Sequence, residues 1–223
     1  MRKFQNQIIQ GNCLDYLDKI PSDAFWISDP PYNQKYHYEN YDDNLSEQDY
    51  RDLLFNVFTE KKSIIIHYPE ETINLLATLD LGKCEDVVSW VYNSNTAKQH
   101  RLITWWNCKP DMKKIPQPFK NPTDKRIKKR IADGKMARGY DWWEINQVKN
   151  VSKVNNSHSC PIPELVAERI ILSTTNIGDL IVDPFCGSGT ILAVAKRLRR
   201  KYLGIELSRE YCEIAKDRLS KIK

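Results

Sequence analysis

The sequence predicts an α/β fold, and three observations support this prediction. Apolar runs short enough to be strands alternate along the chain with amphipathic runs that suit helices. Acidic residues stand directly after several predicted strands, and a glycine-rich turn joins one strand to the helix that follows it. In a parallel sheet with helical crossovers, such residues lie at the carboxyl ends of the strands, where ligands bind. The pattern therefore predicts both a fold class and the edge of the sheet that carries a site.

The first part of the chain is predicted to contain three strands and two helices. A Pro21-Ser22-Asp23 turn separates the first helix from the second strand, which ends at Asp29. The last strand is the apolar run Ser-Ile-Ile-Ile, which is typical of a strand buried on both faces. The predicted elements are strand 7–10, helix 14–20, strand 24–27, helix 50–57 and strand 63–66.

The last third of the chain shows the same alternation. Pro163 is suited to the first position of a helix, and a Gly178-Asp179 turn follows that helix. Ser208 is a residue type that caps helices, so it is expected to begin the final one. The predicted elements after the Gly178-Asp179 turn are strand 180–182, helix 191–198, strand 202–205 and the final helix from position 208 onward.

Residues 93–157 depart from this alternation, and we interpret them as an insert that lies outside the sheet. Prolines cluster there, and charged residues alternate with tryptophan pairs at 105–106 and 142–143. The whole chain has a net charge of +5, but residues 109–138 alone carry +8. Basic residues with aromatic neighbours suit phosphate contacts, although a solvated charged face is the ordinary alternative. The basic residues in question are Lys125, Arg126, Lys128, Lys129, Arg130, Lys135 and Arg138.

Length and composition indicate a single domain that spans residues 1–223. The chain is 41% hydrophobic and 28% charged, as is usual for a globular protein with one sizeable core. The beginning of the sequence has no apolar signal core, and no run approaches the roughly 18 apolar residues that span a bilayer. We therefore expect a cytoplasmic location and no membrane contact. The six cysteines are too scattered for paired zinc ligands, so we expect free thiols and no metal.

The glycine turn predicts a nucleotide-binding crevice. Gly187-Ser188-Gly189 lies between a predicted strand and a predicted helix, and glycines let backbone N–H groups approach a ligand. Glu206 follows the next strand, where its carboxylate can accept both hydroxyl protons of a ribose. A glycine turn by itself is also an ordinary tight connection, and a dinucleotide-binding domain is a competing interpretation. The third glycine of the GxGxxG pattern is, however, missing.

The tetrapeptide Asp29-Pro30-Pro31-Tyr32 suits chemistry on the exocyclic amino group of a nucleobase. The lone pair of such an amino group is delocalised into the ring, so the nitrogen needs acceptors on its two hydrogens. Asp29 offers a carboxylate, and the prolines direct the Pro30 carbonyl as a second acceptor. Tyr32 offers a flat face for a base extruded from a duplex. The alternative is a Pro-Pro turn with a capping aspartate and a surface tyrosine.

Together, DPPY at residues 29–32 and FCGSGT at residues 185–190 resemble the motifs of the amino-group DNA methyltransferases that use S-adenosylmethionine. The order of the two motifs resembles that of the circularly permuted β class. The resemblance implies a Rossmann-like, mostly parallel, seven-stranded sheet with helices on both faces. It also implies a target-recognition region between the motifs, which we place at about residues 93–157.

The resemblance further implies roles for individual residues. Asp29, Pro30, Pro31 and Tyr32 would be catalytic, Tyr32 would also contact the base, and Glu206 would bind the cofactor's ribose. The other implied cofactor contacts are Asn12, Cys13, Asp29, Asp183, Pro184, Phe185, Gly187, Ser188, Gly189 and Thr190.

Two positions depart from the family pattern. Gly11-Asn12-Cys13 resembles an adenine-pocket segment that usually reads Gly-Asp-Cys, so Asn12 offers only an amide oxygen where a carboxylate is usual. The segment 158–163 resembles one that often carries a lysine before its last proline. Ile162 stands there instead and cannot pair with the cofactor's carboxylate, so another donor must do so.

The activity that these residues imply is site-specific methylation of adenine N6 in DNA after base flipping, because Asp at the head of the tetrapeptide resembles adenine-directed members. Cytosine N4 is the nearest alternative acceptor, and RNA is a less favoured substrate. A non-catalytic DNA-binding subunit is the alternative from a different class of protein. The resemblance leaves open whether the chain forms a homodimer and whether a restriction endonuclease accompanies it.

Overall fold

Ten strands and six α-helices make up the computed structural model, which describes residues 4–34, 37–38, 41–94, 97–148 and 161–222. Residues 158–160, which begin the segment that resembles one with a family lysine, lie outside this part of the chain. The strands are β1 (Gln7–Gln10), β2 (Phe25–Ser28), β3 (His37–Tyr38), β4 (Tyr41–Asp42), β5 (Lys62–His67), β6 (Cys84–Val91), β7 (His100–Trp106), β8 (Trp142–Glu144), β9 (Leu180–Asp183) and β10 (Lys201–Glu206). The helices are α1 (Glu47–Phe58), α2 (Pro69–Asn74), α3 (Lys125–Ala132), α4 (Glu164–Thr174), α5 (Thr190–Arg197) and α6 (Arg209–Ser220). Shorter 3-10 helices span Cys13–Lys19, Leu76–Thr78 and Met112–Lys114.

Eight of the strands form one mixed sheet, in the order β1-β10-β9-β2-β5-β7-β6-β8. The first five strands of this order are parallel, β7 is antiparallel to both of its neighbours, and β8 is parallel to β6. The prediction of a mostly parallel α/β sheet is therefore confirmed. The sheet has eight strands, where the resemblance implied seven, because β8 extends the edge beyond β6.

The interpretation of residues 93–157 as lying outside the sheet is wrong for two stretches. Strand β7 pairs with β5 and β6 inside the sheet, and β8 forms the edge. A strand covered on both faces shows no polar alternation, and this is why β7 lacks the expected period. Trp105, Trp106 and Trp143 are buried core residues, whereas Trp142 is 41% exposed. Of the four tryptophans, Trp142 alone is exposed enough to stack on a ligand at the surface.

The core lies on both faces of the sheet, and β5 shows how it divides. Ile64 and Ile66 pack into the cluster beneath α4 and α5, whereas Ile65 packs into the cluster beneath α1. All three isoleucines are fully buried, because helices cover both faces of the parallel strands. Helices on both faces are therefore confirmed.

Helix boundaries follow the capping signals closely. Ser208 accepts a hydrogen bond from the Tyr211 amide at 3.4 Å and begins α6 as predicted. Pro163 is the cap of α4 and not its first residue. The first predicted helix, at residues 14–20, is a 3-10 helix whose cap is Asn12, since the Asn12 side chain accepts from the Leu14 amide at 3.0 Å.

The described part of the chain contains five free cysteines, and position 160 lies outside it. Burial raises the pKa of the Cys13 thiol to about 12, so this side chain is an uncharged packing group. Across the same residues, none of the helices combines the length and apolarity needed to cross a bilayer.

Candidate active site

The carboxyl ends of the five parallel strands meet at one edge of the sheet, as the strand pattern predicted. There they border a cavity of about 870 Å³. All of the predicted catalytic and cofactor residues line this cavity except Gly189. Two motifs that are about 150 residues apart in the sequence are therefore neighbours, because β2 pairs with β9.

The glycine loop is held by the carboxylate of Glu206. Its Oε2 accepts from the Gly187 amide at 2.9 Å, and its Oε1 accepts from the Ser208 amide at 2.9 Å. Gly187 has φ 48°, in the left-handed region that favours glycine. Gly189 faces α6 instead of the cavity, and a Cβ there would lie 2.8 Å from the Cβ of Ala215. Gly189 thus permits close helix packing beneath the loop.

Asp183 is a buried carboxyl group at the end of β9. Its Oδ1 accepts from the Ser28 hydroxyl at 2.8 Å and from the Phe185 amide at 3.2 Å. Burial raises the pKa of Asp183 to about 7, and the nearby charges of Asp29 and Glu206 add to the rise. A cation in the cavity would favour the ionised form of this group.

Asp29 follows β2 and forms an ion pair with Arg101. Arg101 Nη1 lies 3.1 Å from Asp29 Oδ2, and the two side chains are 8% and 20% exposed. The Tyr32 hydroxyl donates to Asp29 Oδ1. Burial raises the pKa of Asp29, while the positive charge of Arg101 acts to lower it. The guanidinium thus favours the ionised carboxylate, which is the form that can only accept hydrogen bonds.

The backbone of the tetrapeptide is fixed by a chain of buried side chains. The Tyr50 hydroxyl donates to the Pro31 carbonyl at 2.7 Å and lies 3.0 Å from His67 Nε2. The Tyr68 amide donates to His67 Nδ1 at 3.0 Å, so the hydrogen of a neutral ring is on Nε2. Burial lowers the pKa of His67 to about 3, which keeps the ring neutral. The Pro31 peptide is therefore held in a single direction.

The residues after the tetrapeptide are also held in place by hydrogen bonds. Asn33 has φ 53°, and its side chain bonds both backbone groups of Leu45, at 2.8 and 2.9 Å. The buried Asp43 carboxylate accepts from the amides of Asn33 and Gln34 at 2.9 and 3.0 Å. The Asp43 carboxylate and the Asn33 side-chain amide thus satisfy the backbone of the turn directly after the tetrapeptide.

Aromatic rings and one cation form the wall beside Asp29. The Tyr32 ring centroid lies 4.5 Å from that of His67 and 5.1 Å from that of Tyr68. The Arg101 guanidinium lies 5.1 to 5.4 Å from the ring centroids of Tyr32, Tyr68 and Trp90. The wall therefore combines flat faces with a positive charge.

Sequence reasoning missed several residues of this wall. His67 directly follows the predicted strand 63–66 and is the last residue of β5, so the strand-end rule that identified Asp29 could have identified it too. Tyr50 occupies what the sequence alone presents as an ordinary apolar position of a helix. Arg101 lies in the predicted insert, and no local signal marks it. Its position at the site follows from β7 being antiparallel, which brings the start of β7 to the carboxyl edge of β5.

Tyr32 lines the cavity, whereas the seven basic residues predicted to contact nucleic acid lie away from it. All seven basic side chains are exposed, and five of them belong to α3. The Asp124 side chain caps α3 by accepting from the Arg126 amide at 2.8 Å. Lys120 Nζ lies 3.4 Å from the Trp142 ring centroid, and the Arg130 guanidinium lies 4.8 Å from that of Phe119. This surface therefore presents aromatic rings together with positive charge.

The fold and the site together define an amino-group methyltransferase, because a glycine loop, a carboxylate at the next strand end and a DPPY segment share one cavity. Residues 24–217 match the N6/N4 DNA methylase family, and the chain belongs to this family.

Comparisons with individual proteins agree with this family. The chain is 29% identical to the type II methyltransferase M.HpaI of Haemophilus parainfluenzae, over 96% of the chain and 74% of that protein. It is 28% identical to the DNA adenine methyltransferase YhdJ of Escherichia coli, over 95% of the chain and 82% of that protein. Its fold is similar to that of the cytosine-N4-specific PvuII DNA methyltransferase, with a TM-score of 0.68, 17% identity, and coverage of 95% and 85% of the two chains.

Proposed function

We propose that the protein transfers a methyl group from S-adenosylmethionine to N6 of adenine in DNA. The observation that carries this proposal is the shared cavity in which Asp29-Pro30-Pro31-Tyr32 faces the glycine loop and Glu206. The similarity to YhdJ, an adenine methyltransferase by name, favours adenine as the acceptor. Cytosine N4 is the second candidate, because both bases carry the same kind of amino group.

The residues present fit S-adenosylmethionine. Glu206 accepts one backbone N–H on each oxygen, so each oxygen retains a lone pair for a ribose hydroxyl. The amide oxygen of Asn12 caps a helix but keeps a second lone pair for the adenine amino group. Asp183 lines the cavity, and its carboxylate would attract the positive charge of the cofactor's methionine moiety. When bound, the cofactor supplies a methyl group on a positively charged sulfur, which keeps the bonding electrons as the methyl leaves.

The chain's own residues orient and polarise the acceptor. Asp29 would accept one amino hydrogen and the Pro30 carbonyl the other, which would leave the nitrogen lone pair available for methyl transfer. The faces of Tyr32 and Tyr68 provide a stacking surface for the base. The methylated nitrogen must then lose one proton. Asp29 is suited to take it, because burial raises its pKa.

The exposed basic residues of α3 and its flanks are the proposed contacts for the DNA backbone. They carry positive charge without buried partners, and such charge binds phosphates by releasing counterions. The names of several relatives place those proteins among type II methyltransferases, which favours a role in restriction-modification for this chain as well. A homodimer and an accompanying endonuclease remain predictions.

The decisive experiment incubates the purified chain with genomic DNA and S-adenosylmethionine. Digestion to nucleosides and mass spectrometry should identify N6-methyladenine, and sequencing that locates modified bases should find one short recognition site. N4-methylcytosine would replace the adenine assignment with the cytosine one. The absence of methyl transfer, in a protein that binds the cofactor, would contradict the proposed function and favour a non-catalytic DNA-binding subunit.

A further inference from the structure

Arg101 is the one cation beside Asp29 in the described part of the site, and nothing in the methyl-transfer scheme above uses it directly. It lines the cavity, although only 7% of the residue is exposed. One end of its guanidinium pairs with Asp29, and the plane lies among the rings of Tyr32, Tyr68 and Trp90. An arginine held by rings on several sides has little freedom to turn away from the site.

The Nε of Arg101 is buried and has no hydrogen-bond partner among the residues that the structure describes. A buried N–H without an acceptor is destabilising, so such groups are normally paired. Nε itself is closed off from the cavity, so a ligand would meet the part of the Arg101 side chain that lines the cavity. The unpaired Nε shows that the described residues leave one donor of this guanidinium unsatisfied. The neighbouring acceptor, Asp29, is meanwhile assigned to an amino group of the same ligand.

We propose that Asp29 and Arg101 together read the edge of the target base, with Asp29 accepting from the amino group and Arg101 donating to the adjacent ring nitrogen. This inference rests on the proposed function and adds a residue that determines base specificity. Adenine presents its N6 amino group beside the acceptor N1, and cytosine presents N4 beside N3. Thymine presents a carbonyl oxygen beside an N–H, which would oppose both protein groups.

The cofactor's carboxylate is the competing partner for Arg101, because Ile162 stands where the family often has a lysine. The surroundings of Arg101 favour the base. Its contacts are residues of β2, β5, β6 and the turns after them, whereas the glycine loop and Glu206 follow β9 and β10. In the sheet order, β9 and β10 lie on one side of β2, and β5 and β6 lie on the other. Arg101 therefore contacts β2 and the side of the sheet away from the glycine loop. Cofactor affinity in an Arg101 variant separates the two partners.

The test compares two DNA duplexes that contain the mapped recognition site, one with adenine and one with 1-deazaadenine, which has C–H in place of N1. The wild type and Arg101→Met are each assayed for kcat/KM. We expect the wild type to lose about 10- to 100-fold on the deaza duplex, the size of one charge-assisted hydrogen bond. Deaza substitution also alters the reactivity of the amino group, and this effect is common to both proteins. The quantity that tests the inference is therefore the discrimination factor of the wild type divided by that of Arg101→Met, which should be at least about threefold.

Matched controls keep the outcome interpretable. Arg197→Met removes an arginine that lies outside the cavity and pairs with Glu164, and it should keep the wild-type discrimination. Arg101→Met should bind S-adenosylmethionine within about threefold of the wild type. If Arg101→Met does not fold, Arg101→Lys replaces it, with an expected discrimination at least threefold smaller than that of the wild type.

Three results would overturn the inference while leaving the proposed function intact. The first is equal methylation of both duplexes by the wild type, and the second is discrimination by the Arg101 variant as strong as that of the wild type. The third is a tenfold or greater loss of cofactor affinity in Arg101→Met, which would assign Arg101 to the cofactor's carboxylate instead. Failure to methylate the unmodified duplex would, in contrast, contradict the proposed function itself.

Discussion

Asp29 and Asp183 are carboxyl groups at the ends of adjacent strands, and burial raises the pKa of both, but their neighbours differ. Asp29 lies against the Arg101 guanidinium, which favours its ionised form. Asp183 meets a hydroxyl and a backbone amide, and these neutral donors do not offset its burial. One site therefore holds a carboxyl group paired with a cation and another that meets only neutral donors.

Replacing Asp29 tests the acceptor role. Asp29→Asn keeps the shape but removes the charge, and we expect kcat to fall about 100-fold or more, the size seen when one preorganised polar group is lost. The dissociation constant of S-adenosylmethionine should change little, which calorimetry can check. Near-normal kcat in this variant would remove Asp29 from the reaction. Cofactor binding is also the control for folding, because the substitution leaves Arg101 without its charged partner.

The pKa of Asp183 predicts a pH dependence of cofactor binding. The raised value of about 7 means that Asp183 is largely protonated below that pH in the free protein. A bound cation favours the ionised form, so binding releases a proton, and affinity should weaken by up to about tenfold per pH unit below pH 7. Above pH 7, affinity should level off. Titration calorimetry across this range checks the prediction, and Asp183→Asn should flatten the profile.

Helix α3 is an element whose stability does not come from the core. None of its residues is buried, and an isolated eight-residue helix is marginal in water. Positive charges near its N-terminus oppose the helix dipole, and the Asp124 cap compensates for them. Packing therefore does not account for this helix, and its exposed positive charge is the feature on which the proposed DNA contact rests.

Charge reversal on α3 tests this interpretation. Changing Lys128, Lys129 and Arg130 to Glu should weaken DNA binding. It should also lower the slope of log affinity against log salt by about 0.9 for each phosphate that the variant no longer neutralises. Fluorescence anisotropy at several salt concentrations measures both quantities. Unchanged affinity and slope would show that this face is only a solvated surface.

A matched control reverses the same number of charges elsewhere. Lys201, Lys216 and Lys221 are exposed and lie on β10, α6 and the residue after α6. Their replacement by Glu changes the net charge equally but leaves α3 intact. Any loss of affinity shared by both triple variants is therefore a general effect of net charge.

Across the protein as a whole, the cavity joins strand ends from both parts of the chain. Residues near positions 12, 29, 101, 183 and 206 all line it. The site forms only when β1, β2, β9 and β10 are all in register, because each supplies one strand end. Ligand binding and global folding are consequently linked.

This linkage predicts a thermal shift. S-adenosylmethionine at about 100 times its dissociation constant should add about 2.7 kcal/mol to the free energy of unfolding. For a chain of this size, that corresponds to an increase in Tm of roughly 5–10 °C. Differential scanning calorimetry measures it. Glu206→Ala should show a smaller shift at the same cofactor concentration, and an equal shift would contradict ribose binding by Glu206.

Local signals in the chain were enough to establish the α/β class, most helix and strand positions, and the residues of the two motifs. These signals are the apolar period, the capping residues and the rule that ligands meet the carboxyl ends of parallel strands. They also predicted a single cavity for DPPY and the glycine loop, because both follow strands of the same predicted sheet.

The place of β7, the burial of Trp105 and Trp143, and the pairing of Arg101 with Asp29 became visible only in the folded chain. Arg101 and Asp29 are 72 positions apart, and their contact depends on β7 crossing the sheet antiparallel to β5. Strand pairing is a long-range choice driven by burial and backbone hydrogen bonds, and no local pattern of residues encodes it. For that reason the chain's motifs could be predicted from the sequence, whereas the cation beside the Asp29 carboxylate could not.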